Sequence, residues 1–141
     1  MNERFLKRYS FHITANDFMN AGKGSSSIKN LLKSMEIDAI IIRKIAIVSY
    51  EAEINIVIHS FGGELHCDLY DDKIVIVSED VGPGIEDVDL ALTEGYSTAP
   101  ESIRELGFGA GMGLPNIIKY SDDFNIATGN DGTVIKITFL M

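Results

Sequence analysis

ELHCDLYDDKIVIVSEDVGPGI, residues 64–85, decides the fold. Two runs read as strands, 64–70 and 73–79, with Asp71-Asp72 between them as the turn. Strands joined this tightly must pair antiparallel, because a parallel pair needs a crossover of about a dozen residues or more. Asp80 follows the hydrophobic second strand directly, and Gly82 and Gly84 in VGPGI then break it. Taken alone, Asp-x-Gly-x-Gly is an ordinary turn.

Downstream, residues 86–106 are polar and weakly patterned. A connection of that length in a compact domain is a functional lid or a disordered segment. GFGAGMGL, 107–114, follows, with Pro115 placed for the first turn of a helix to about Tyr120. Residues 123–128 and 133–140 then read as two strands around the turn GNDGT. Upstream, Gly62 and Gly63 end a long apolar helix capped by Asp38. Before it come a helix at 25–35 capped by Ser25 to Ser27, and a first strand at 4–15. The order β-α-α-β-β-(lid)-α-β-β predicts an α+β two-layer sandwich, a mostly antiparallel sheet with helices on one face.

The chain has 141 residues, enough for one domain, 1–141, and too few for two ordinary ones. Net charge is −9, which argues against nucleic acid as a partner. A nucleotide is still admissible, because Mg²⁺ screens phosphates locally. The single cysteine, Cys67, allows no internal disulfide and no CxxC site. MNERFLKRYSF has no apolar leader, and the apolar stretch near 39–48 carries Arg43 and Lys44 and is too short to span a bilayer. These features lead us to expect a cytoplasmic protein without a membrane partner.

The glycine loop 107–114 fails both common phosphate patterns. Read from Gly107, the third position of a dinucleotide fingerprint is Met112; read from Gly109, it is Leu114. Gly22-Lys23-Gly24 lacks the Walker A residues on both sides. The loop still has what an anion needs, namely free backbone N–H groups and a helix N-terminus at Leu114-Pro115. A second signal is Glu51, Asn55 and His59, at i, i+4 and i+8 of the long helix. At roughly 100° per residue they lie within an arc of about 80°. Polar groups on one stripe of an apolar helix cost free energy unless they have partners.

In this order the features resemble the ATP-binding (Bergerat) fold of the GHKL superfamily, which includes DNA gyrase B, histidine kinases and the MutL proteins. EAEIN with His59 resembles its N box. Asp80, Gly82, Gly84 and Ile85 resemble the first glycine box. Gly109, Gly111, Met112, Gly113 and Leu114 resemble the second, and Gly132-Thr133 the final G-x-T. From the residues before the first helix and the chain length, neither a histidine-kinase dimerisation helix nor a gyrase-type transducer domain is expected. The chain therefore looks like the stand-alone serine/threonine kinases of bacterial partner switching, either anti-sigma-factor kinases or the switch kinases of the stressosome. A detached histidine-kinase catalytic domain and a nucleotide-dependent regulator-binding module are the alternatives.

The resemblance implies ATP and Mg²⁺ as cofactors, and a STAS-type antagonist protein or a sigma factor as partner. It implies Glu51 as general base and Asn55 as Mg²⁺ ligand. Asp80 would accept from the adenine amino group, supported by the Thr133 hydroxyl through water. Gly107, Gly109, Gly111 and Gly113 would let the backbone approach the phosphates, with the lid at 86–106 closing over them. Arg104 is either a phosphate contact or a solvated surface residue. His59 is either beside the nucleotide or a hydrogen-bonded interior histidine. Metal binding by His59, His66 and Cys67 is not expected, since His66 and Cys67 point to opposite faces of a strand. Homodimerisation through the first strand and helix is a family expectation.

Overall fold

The computed structural model describes residues 4–85 and 113–141. Its elements are β1 (Phe5–Ile13), α1 (Lys23–Ser34), α2 (Ala39–His59), β2 (Gly63–Tyr70), β3 (Lys73–Val81), α3 (Gly113–Tyr120), β4 (Asp123–Gly129) and β5 (Gly132–Leu140). The strands form one sheet in the order β1-β2-β3-β5-β4, and every pairing is antiparallel. This is the expected two-layer α+β sandwich.

Alternation of side chains along the strands makes the inner layer. Leu65 and Cys67 of β2, Ile74 and Ile76 of β3, and Ile135 and Ile137 of β5 point to one face and are buried. They meet Ile28 and Leu32 of α1, Ile45, Val48 and Ile56 of α2, and Ile117 of α3. Each fully buried side chain of this size contributes about 1.5–3 kcal/mol through apolar burial. That cluster holds α2 against the middle of the sheet. Cys67 lies within it, and burial pushes its thiol up to about 12. The opposite face of the sheet mixes buried Val75 and Val77 with polar groups. There Arg8 makes a two-pronged contact with buried Asp68, at 2.7 and 2.8 Å, and Ser10 meets His66 Nδ1 at 2.8 Å.

The start of α1 departs from expectation. The helix begins at Lys23, not Ser25, and its cap position is Gly22 in a left-handed conformation with no side-chain cap. The Ser25 hydroxyl donates to the Gly22 carbonyl instead of receiving a backbone N–H. The capping acceptor comes from α2. The Glu53 carboxylate accepts from the N–H groups of Gly22, Gly24 and Ser25 at 2.9, 3.3 and 2.9 Å. Glu53 is 1 % exposed. A carboxylate at a helix N-terminus is favoured by the helix dipole, and that partnership makes its burial tolerable. The long helix α2 is apolar along most of its length but only partly buried. Its Asp38 cap is as expected, accepting from Ile40 N–H at 2.8 Å. Its N-terminal half, however, leaves Ile40, Arg43 and Lys44 exposed.

Candidate functional site

The apolar ladder of the inner sheet face turns polar at one end. The strand register aligns Gly63, Asp80, Thr133 and Thr128 across β2, β3, β5 and β4. Residues paired across neighbouring strands share a face, so Asp80 and Thr133 extend the rows of Ile74-Ile76 and Ile135-Ile137 on the helix side. Because α2 ends at His59 and Gly63 opens β2, the C-terminal half of α2 reaches this same end.

Asp80 is half-buried, and its Oδ1 accepts the Thr133 backbone N–H at 3.0 Å. Burial raises its pKa, while the Thr133 hydrogen bond works the other way. The Thr133 hydroxyl has a protein partner as well. That hydroxyl pairs with the Thr128 hydroxyl at 2.9 Å, and the backbone N–H serves Asp80. Thr128 Oγ1 also accepts from Ile85 N–H at 2.8 Å, tying the turn after β3 to β4. Gly84 makes this possible. Its φ is +79°, and a Cβ there would run into the Gly129 carbonyl and come within 2.8 Å of Thr128 Oγ1. Gly82 is buried against Ser60 at the end of α2.

The polar stripe of α2 faces the start of α3. A Cβ placed on Gly113 would lie 3.3 Å from Glu51 Oε2 and 3.4 Å from Asn55 Oδ1. Glu51 and Asn55 are thus brought together at the N-terminus of α3, both half-buried. Leu114, next in the chain, is buried in the core and anchors that helix end. Burial is the main influence on Glu51 and raises its pKa, and a hydrogen bond from the Asn116 side chain partly offsets it. Asn116 was not visible as a site residue in the sequence. An asparagine in the first turn of a helix carries no signal until the facing carboxylate is known.

His59 is exposed at the C-terminal end of α2, so it is not an interior histidine. The protein mass around it still lowers its pKa by desolvation. His66 lies on the outer sheet face and Cys67 in the core, as alternation requires, so these two do not share a site. Among the described residues no group of three or more His, Cys, Asp or Glu side chains could hold a metal ion. The lid at 86–106 with Arg104, and Gly107, Gly109, Gly111 and Met112, lie outside the described residues. No described helix is long and apolar enough to cross a membrane.

Comparison with curated proteins bears on this constellation. The chain is 33% identical over 92 residues to an anti-sigma F factor of Clostridium novyi, covering 60% of this chain and 61% of that protein. It is 33% identical over 102 residues to an anti-sigma F factor of Oceanobacillus iheyensis, covering 67% and 66%. It belongs to the GHKL-type partner-switching family. A third relative is the serine/threonine-protein kinase RsbT of Bacillus subtilis, 26% identical over 113 residues, covering 77% of this chain and 79% of that protein. The matches span somewhat under two thirds of the length of the two anti-sigma F factors. No family model matches the chain.

Proposed function

We propose that this chain is an ATP- and Mg²⁺-dependent serine/threonine kinase of a bacterial partner-switching system. It transfers the terminal phosphoryl group of ATP to a STAS-type antagonist protein. The observation that carries this reading is the pairing of Glu51 and Asn55 against Gly113, with the Glu51 pKa raised by burial. The relatives named anti-sigma F factor and serine/threonine-protein kinase support it.

The residues divide the work by their chemistry. Asp80, as a carboxylate, only accepts hydrogen bonds, so it suits the adenine amino group and rejects guanine, which presents a carbonyl there. The Thr133 N–H bond at 3.0 Å keeps one oxygen oriented and leaves the other for the base. Asn55 offers an amide oxygen, and Mg²⁺ prefers oxygen ligands while keeping several waters, so the donor set fits. When bound, Mg²⁺ neutralises phosphate charge. Gly113, without a side chain, lets phosphate oxygens approach the N-terminus of α3 beside Glu51 and Asn55. Glu51 accepts the proton of the attacking serine or threonine hydroxyl. The hydroxyl oxygen forms a bond to the terminal phosphorus, and the bond from that phosphorus to the bridging oxygen of ADP breaks. A carboxylate with a raised pKa is a better proton acceptor than an ordinary one, because its basicity lies closer to the working pH.

The test is transfer of labelled terminal phosphate to a STAS-domain protein, comparing the native chain with Glu51→Ala. Acid-stable phosphoserine or phosphothreonine, lost in the variant, is expected. Equal transfer by Glu51→Ala would remove Glu51 from the role, and acid-labile phosphate would point to a histidine acceptor. The anti-sigma F factor names favour a second reading, in which the nucleotide-bound protein sequesters a sigma factor. Co-purification with a sigma factor that depends on ATP would support it, and the two activities are compatible in one chain.

A further inference from the structure

The first two helices flank a cleft whose nearer end, at Ile47, lies one helical turn before Glu51. It measures about 480 Å³ and lies between the second half of α1 and the first half of α2. Clefts that take a ligand commonly measure about 300–1,000 Å³. The floor is apolar, made by Ile37, Ile42 and Ile47, and the rim carries Lys29, Lys33 and Arg43. No carboxylate lines it, although the chain holds 21 acidic against 12 basic residues. The nearest acids in sequence are Glu36 and Asp38, and Asp38 is engaged as the cap of α2. Among the described residues none of the three rim cations has a carboxylate partner. Arg43 stands 12 residues before Asn55, about 18 Å along the helix axis at 1.5 Å per residue.

From this arrangement we infer that the cleft docks an acidic, amphipathic segment of a partner protein, its apolar side chains on the isoleucine floor and its carboxylates on Lys29, Lys33 and Arg43. The charge pattern favours that occupant. The rim is cationic within an acidic surface, so it steers a partner whose carboxylates the rest of the molecule repels. The floor is a concave apolar depression, which rewards inserted side chains and offers nothing to a phosphate backbone. A net charge of −9 opposes a nucleic acid or an anionic lipid surface approaching as a whole. The cationic rim at Lys29, Lys33 and Arg43 shares no residue with the nucleotide site, and the inference does not depend on the kinase reading.

The experiment uses two pools of synthetic helical peptides. Both carry leucine along one face; one has glutamates flanking that face and the other has glutamines there. Binding to the full chain is followed by fluorescence anisotropy without nucleotide. The glutamate pool is expected to bind at least about tenfold more tightly at low salt, with the gap shrinking as salt screens the pairs. The double variant Lys33→Glu/Arg43→Glu should abolish the preference while keeping its unfolding midpoint. Ile47→Ser should weaken both pools. Equal binding of the two pools, a preference retained in the double variant, or displacement of the peptides by duplex DNA or anionic vesicles would each overturn the proposal. ATP affinity, measured on the same samples, reports on the nucleotide reading independently.

Discussion

At the residue scale, Glu51 is the proposed general base and Asn116 its hydrogen-bond partner. The Glu51 carboxyl sits half-buried, so its proton is held more tightly folded than unfolded. A raised carboxyl pKa means that stability is lost, not gained, as pH rises through the window above the ordinary glutamate value of about 4.3. Glu51→Gln therefore should cost no stability at neutral pH and is expected to raise the thermal midpoint slightly there. That gain should vanish in acid, where both forms are neutral. The same substitution should lower phosphoryl transfer by about 10²-fold or more, the contribution of a positioned base. Calorimetric melting at two pH values with a transfer assay checks both arms. Asn116 works against the burial of Glu51. Asn116→Ala is accordingly expected to move the acidic limb of the transfer profile to higher pH. An unmoved limb would show that Glu51 is not the group titrating.

The coupling of α1 to α2 through Glu53 belongs to the element scale. The carboxylate accepts three backbone N–H groups at the start of α1, from a position two residues after Glu51 on α2. Glu53→Ala would strand buried donors at about 1–3 kcal/mol each when unmet, so a total loss of about 2–5 kcal/mol is expected by urea unfolding. A loss under about 1 kcal/mol would mean that water or another group caps α1 instead. This interaction marks where sequence reading stopped. Strands, helices and their order were legible because apolar periodicity and tight turns such as Asp71-Asp72 are local signals. The Glu53 cap joins residues about 30 positions apart, and no local pattern announces it. For the same reason Ser25 looked like the cap, and Asn116 and Thr128 went unremarked. Glu51, Asn55 and Asp80 stood out since a charged or amide group in an apolar run is conspicuous in one dimension. That the Thr133 hydroxyl turns to Thr128 depends on the β4–β5 register, which one strand alone does not reveal.

At the scale of the whole molecule, the antiparallel sheet gives one end of its inner face to Asp80 and Thr133, while α2 brings Glu51 and Asn55 to the N-terminus of α3. The remaining length of α2 lies against α1 and holds the cationic cleft. In this account one helix carries two separable functions along its axis. The polar end of the sheet is proposed to bind ATP, with Asp80 holding the adenine amino group. Asp80→Asn keeps an oxygen for the Thr133 N–H and removes a charge that burial disfavours, so the fold should survive it. The amide can instead turn a donor toward the adenine amino group, costing a charge-assisted hydrogen bond of about 1.5–3 kcal/mol. The deciding measurement is titration of ATP by isothermal calorimetry into the native protein and Asp80→Asn, with urea unfolding of both. The account predicts ATP binding by the native chain, weakened at least about tenfold in the variant at an unchanged unfolding midpoint; equal affinity in the two proteins would contradict it.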